Sequence, residues 1–199
     1  MLAWIGDVRW LIAGLLAVIY TDAAMAQTAP AKQIPLTIGF ANFSGEDLAP
    51  LVRDDSAVLS PLFQRSSAPP TGQVPVANVL FIYGHFNSDG TIKGLKAAGV
   101  RQVVQATKAA VVVVASEASQ DTFMKAAGLP GPKSANIVFT LNRNGAGFGA
   151  FFRKLFERMR DGQDMLMAWV ELAPQGPVQD PSLPGTILLS EAGRLAFPK

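Results

Sequence analysis

Asn78-Val79-Leu80-Phe81-Ile82-Tyr83-Gly84-His85 and Ala110-Val111-Val112-Val113-Val114-Ala115-Ser116-Glu117 decide the fold. Each is an unbroken apolar run, rich in β-branched or aromatic residues, with polar groups only at its end. A strand with one wet face alternates in polarity, whereas a continuous run marks a strand covered on both faces, as in a parallel sheet between helices. The intervening Thr91–Lys108 is long enough for a crossover, so the two strands are expected to be parallel neighbours. Their C-terminal ends then lie side by side, at the edge where open α/β sheets bind ligands. That edge would carry the chain's single histidine, His85, beside Ser116 and Glu117.

The flanking segments alternate strand and helix. Pro35–Ala41 reads as the first strand, followed by a mostly helical Asp47–Phe63 distorted near Pro61, with Ser44 and Asp47 in an N-terminal capping pattern. Ser66–Pro75 holds three prolines and a glycine and reads as an irregular connection. Thr91–Ala98 is expected to be helical, Gly99 to break it, and Val100–Lys108 to form a further turn or helix. Ser119–Ala127 reads as a short helix with Phe123 and Met124 turned inward, and Ala135–Leu141 as another strand. Phe148, Phe151, Phe152, Leu155, Phe156 and Met159 define an amphipathic helix closed by Gly162. Met165–Leu172 suits helix or strand, Pro174–Pro184 is proline-rich, and Thr186–Leu189 with Arg194–Phe197 suggests a terminal hairpin. The sum is a three-layer α/β domain with a mainly parallel central sheet and a small C-terminal hairpin.

The N-terminus is read separately. Arg9 precedes an apolar run, Trp10–Tyr20, and Ala24 and Ala26 stand in an A-x-A arrangement, the order of a secretory signal peptide cleaved before Gln27. The run has 11 residues, short of the ~20 that a spanning helix needs. An uncleaved anchor starting at Leu2, interrupted by Asp7 and Arg9, is the alternative, and would be the chain's only membrane contact. The expected organisation is a signal over 1–26, a flexible lead-in over 27–34 and one domain over 35–199, exported to the periplasm or beyond. Without residues 1–26 the chain carries 16 basic and 13 acidic side chains, a small positive balance. The one basic cluster, Arg153-Lys154 with Arg158–Arg160, alternates with Glu157 and Asp161 and reads as a solvated helix face, so nucleic acid is not expected as a partner. With no cysteine, disulfides, thiol nucleophiles and thiolate metal sites are excluded, and one histidine leaves only carboxylates for a metal. No metal or other cofactor is expected.

Three readings of the polar residues compete. A neutral imidazole at a crevice can serve as general base, so His85 with Ser116 as nucleophile, oriented by Glu117 or Asp89, would make a serine-type hydrolase. No G-x-S-x-G elbow surrounds Ser116, and a strand-end histidine and a helix-capping Ser-Glu explain the same residues without chemistry. Alternatively, His85, Asn87, Asp89, Ser116 and Glu117 form the contact site of a binding module for a protein or small molecule. Thirdly, Gly145-Ala146-Gly147-Phe148-Gly149-Ala150 matches G-x-G-x-x-A ahead of a helix, with Glu171 near the spacing of a dinucleotide fingerprint. Asn142-Arg143-Asn144 separates those glycines from the strand, and too little chain follows Glu171 for a Rossmann sheet, so an anion-binding turn at Gly145 and Gly147 suits them better.

Read in order, several pieces resemble the caspase-like fold of cysteine peptidases, including metacaspases and CHAT domains. Leu36–Phe43 resembles the opening strand and its aromatic turn, Arg53–Leu59 the helix that follows, and Tyr83-Gly84-His85-Phe86 the His-Gly element, with His85 at the catalytic histidine. Val111–Glu117 resembles the strand bearing the cysteine. Gly145–Leu155, with Gln175-Gly176-Pro177 and Ser182–Gly185, resembles the closing helix and loop. The likeness spans roughly Pro35–Leu189 and departs where chemistry matters. Ser116 or Glu117 stands at the nucleophile position, Phe86 replaces the glycine after the histidine, and Phe63–Val79 is too short for a second strand and helix. The resemblance implies a peptidase-like scaffold without peptidase activity, a non-catalytic binding module of the cell envelope. The first strand and helix, ending Ser60-Pro61-Leu62-Phe63, also loosely resemble the amino-terminal domain of periplasmic TolB.

Overall fold

The computed structural model describes residues 30–95, 98–173 and 182–199. The chain divides into Met1–Ala31 and Lys32–Lys199, and the fold is that of the second unit. The expected signal over 1–26 and most of Pro174–Pro184 lie outside the described residues. Among those described, no helix is long and apolar enough to cross a membrane.

The expected class is present. A six-stranded sheet runs in the order β3 (Arg65–Ser67), β2 (Thr37–Asn42), β4 (Val79–Tyr83), β5 (Val111–Glu117), β6 (Asn136–Asn142) and β7 (Gly185–Ser190). Every pair is parallel except β6 with β7, which is antiparallel. The two deciding runs are parallel neighbours, with Val79 opposite Val111 and Ile82 opposite Val114. All of Val79–Tyr83 is buried, which is why those residues could be apolar without alternation. Successive side chains still take opposite faces. Val79, Phe81 and Tyr83 face one core with Phe148, Phe152 and Phe156, while Leu80 and Ile82 face the other with Val100, Val104 and Phe123.

Among the described residues five helices cover the two faces: α1 (Ala49–Leu59), α2 (Val100–Thr107), α3 (Gln120–Gly128), α4 (Ala146–Arg160) and α5 (Met165–Leu172). Buried residues of α1, α4 and α5 belong to the first core and those of α2 and α3 to the second, so the domain has three layers. Phe81 is the hub of the first core, with its ring centroid 5.3 Å from that of Phe152 and 5.6 Å from that of Phe40. Met165–Leu172 resolves as helix because Asp164 caps it, accepting from the Met167 N–H at 3.1 Å.

Several local expectations need correction. Lys32-Gln33, the end of the supposed flexible lead-in, forms β1 and pairs in parallel with β8 (Leu195–Ala196), sealing Ile34 and Phe197 into the core. The two C-terminal strands are thus both present, with β7 bonded to β6 and β8 to β1. Ser66 and Ser67, read as the start of an irregular connection, instead extend the sheet with Arg65 as β3; three exposed polar residues carry no strand pattern to read. Thr91–Leu95 is not helix: Thr91 follows a closed turn, and Phe86 bridges Ile92. Met124 is 60% exposed while its neighbour Phe123 is buried, since consecutive helical residues cannot share one face. Ser44 makes no capping bond. Its Oγ instead accepts from the backbone N–H of His85 at 3.3 Å.

Candidate functional site

The C-terminal ends of β4 and β5 meet, as the spacing required, and the hydroxyl of Ser116 is central to how they meet. Ser116 is 4% exposed, and its Oγ accepts the Gly84 N–H at 2.7 Å. The bond joins the strand ends directly beneath His85. His85 itself is exposed, its backbone N–H held by Ser44 and its carbonyl accepting from Lys93 N at 2.8 Å. Among the described residues its imidazole has no hydrogen-bonded partner, so neither a hydroxyl nor a carboxylate orients it as a triad needs.

The remaining predicted residues are turned to local work. Asp89 Oδ1 accepts from both the N–H and the hydroxyl of Thr91, at 2.9 and 2.7 Å. The Asn87 side chain donates to that same hydroxyl at 2.9 Å. These bonds hold the Asp89 carboxyl below its usual value, the Thr91 hydroxyl being the largest cause. Gly90 closes the turn at φ 86°, where a Cβ would come within 2.4 Å of the Ala126 backbone nitrogen. Glu117 Oε1 accepts the Arg143 N–H at 2.8 Å, tying the end of β5 to the end of β6. His85, Asn87, Asp89 and Glu117 therefore stand along one rim, with Ser116 buried under it.

The glycine loop has a different explanation from the one its motif suggests. A Cβ on Gly147 would sit 1.9 Å from the carbonyl oxygen of Ser182, so the slot a phosphate would need is filled by backbone. Asn144 Nδ2 donates to the Leu183 carbonyl beside it. Gly145 precedes α4 as its N-cap, at φ 53°. The fingerprint partner Glu171 forms a surface ion pair with Arg158.

A cluster that the sequence reading missed lies under the rim, on the α1–α4 side. Asp55 of α1 accepts from the Tyr83 hydroxyl at 2.6 Å and from Arg143 Nη2 at 3.0 Å on both oxygens. Arg143 Nη1 donates to the Ala115 carbonyl at 3.0 Å, and its guanidinium lies 3.9 Å from the centre of the Phe148 ring. Burial raises the Asp55 carboxyl above its usual value, against the pull of Tyr83 and Arg143. Burial, then the Asp55 charge, pushes the Tyr83 phenol well up, so it stays a proton donor. A cleft of about 310 Å³ beside the cluster is lined by Leu51, Val58, Arg143 and Gly149 among others. One signal was available: Leu51, Asp55 and Leu59 recur at four-residue spacing, placing an aspartate on the apolar stripe of α1, where a buried charge requires a partner. Arg143, within the Asn142-Arg143-Asn144 spacer, carries no such signal.

Among the described residues, no three His, Asp or Glu side chains gather as a metal ion would need. The chain matches no family model, no curated protein and no solved structure.

Proposed function

We propose that this chain is an exported, non-catalytic, caspase-like binding module of the cell envelope. Its contact surface is the rim that carries His85, Asn87, Asp89 and Glu117. The observation that carries the non-catalytic reading is the 2.7 Å bond from the Gly84 N–H to the Ser116 hydroxyl. A nucleophile must present a lone pair to substrate and give up its proton to a base. Ser116 is buried, with its oxygen accepting from the backbone, and His85 above it is unoriented. The caspase-like part draws support from the adjacency of β4 and β5, whose ends carry the histidine and nucleophile positions of the resemblance. Export draws support from the order of residues 1–26.

A fluorophosphonate probe tests the reading. The purified protein is expected to stay unlabelled under conditions that label a serine hydrolase to completion. Labelling that vanishes in both Ser116→Ala and His85→Ala would establish the hydrolase instead.

A further inference from the structure

The cleft of about 310 Å³ beside the buried Asp55–Arg143 pair is lined from both α1 and α4 and has the make-up of a small-molecule site. Such sites are concave and mostly apolar, with a few polar groups that fix orientation. Here Leu51, Val58 and Ala146 supply apolar wall, and Asp54, Asp55 and Arg143 supply the polar groups. Val58, one helical turn after Asp54, stays 36% exposed at the cleft despite its apolar side chain.

Gly149 keeps this space open. It stands inside α4, where glycine costs stability relative to alanine, so its presence calls for a reason. At Gly147 the reason is steric, because a Cβ would collide with the Ser182 carbonyl. At Gly149 a Cβ would make ordinary contacts, 3.6 Å to Val58 Cγ1 and 3.7 Å to Asp55 Oδ1. The glycine relieves no clash; it leaves room in front of the carboxylate. A carboxylate has about four lone-pair sites. Asp55 takes three bonds among the described residues, two on Oδ2 and one on Oδ1. Each oxygen thus has a partner, and the spare lone pair belongs to Oδ1, the oxygen nearest Gly149.

We propose that this cleft binds a small aliphatic primary amine, its ammonium group donating to Asp55 Oδ1 and Asp54 and its hydrocarbon chain lying against Leu51 and Val58. An acceptor at the floor calls for a ligand that donates. Arg143 is already committed to Asp55 and the Ala115 carbonyl, and Asp54 adds a second carboxylate to the lining. Two carboxylates against one guanidinium favour a donor that carries positive charge, and charge-assisted bonds are the stronger kind. The site is separate from the histidine rim and stands whether or not that rim is a contact surface.

The test is a titration of n-butylamine into the purified, isotope-labelled protein near neutral pH, followed by backbone amide chemical shifts. Saturable shifts are expected, clustered on α1 and the start of α4. Butanol and butyrate are expected to bind about tenfold more weakly, because neither brings a charged donor. Asp54→Asn is expected to weaken the amine about threefold, the size of an exposed charge pair. Asp161→Asn, at the carboxyl end of α4, leaves affinity unchanged. Gly149→Leu fills the cleft and abolishes saturation. Gly149→Ala, whose Cβ has room, keeps the fold, raises the unfolding temperature and weakens binding. No saturable shift, butyrate binding as tightly as the amine, or affinity unaltered by both Gly149 substitutions would overturn the site. A lower unfolding temperature for Gly149→Ala would show that the glycine is sterically required, and would overturn the argument that it holds the cleft open.

Discussion

A single aspartate shows how this fold balances burial against charge. Asp55 is 4% exposed, and the Arg143 guanidinium and Tyr83 hydroxyl together satisfy its oxygens. Removing one member of such a buried pair typically costs ~3–5 kcal/mol because the other charge is stranded. The pH dependence has a definite sign. The folded protein holds the Asp55 proton more tightly than the unfolded chain, so the carboxyl's contribution to stability is full below the unfolded pKa. It declines as pH climbs through the raised folded value. Urea unfolding of wild type and Asp55→Asn from about pH 4 upward reads this directly. The free-energy advantage of wild type is expected to shrink as pH rises; an advantage that grows would mean attraction to Arg143 outweighs burial.

At the scale of elements, the helices differ in how firmly their patterns point inward. In α3, Phe123 is buried and stacks on Phe139 with ring centroids 4.7 Å apart, while Met124 is exposed. Phe123→Ala is expected to cost ~3–5 kcal/mol and Met124→Ala to stay within ~0.5 kcal/mol. Thermal unfolding of the two variants checks the contrast, and equal costs would contradict the helix orientation. The strands β4, β5 and β6 and the helix α4 were legible because burial on both faces, or on a wide stripe, leaves no choice of residue. β3 was not, since an exposed three-residue edge is held by its neighbour's backbone and not by its own side chains. β1 was hidden for a similar reason: Lys32-Gln33 pairs through its backbone with the far end of the chain. The rim was legible as an address but not as chemistry. A sequence places Ser116 beside Gly84-His85, and only geometry reveals that the hydroxyl faces a backbone N–H. Arg143 carries no sequence signal, because a loop arginine is ordinarily solvated, whereas this one folds back under β5 to meet Asp55 from α1.

For the molecule as a whole, the polar groups read from the sequence gather at the carboxyl end of the sheet. That end carries the histidine rim, braced from below by Ser116, Arg143 and Asp55. An envelope location requires that residues 1–26 act as an export signal. The N-terminal sequence of protein recovered from the periplasm is expected to begin at Gln27, and a product that keeps Met1 in the membrane fraction would instead indicate an anchor. The central claim, that the Ser116 hydroxyl is a structural acceptor, is tested most directly by amide hydrogen exchange at Gly84. In the wild-type protein this amide is expected to exchange slowly, and in Ser116→Ala at least about tenfold faster, since the mutation removes its acceptor. Fast exchange in the wild type, or exchange unaltered by Ser116→Ala, would show that the hydroxyl is free and would contradict the account.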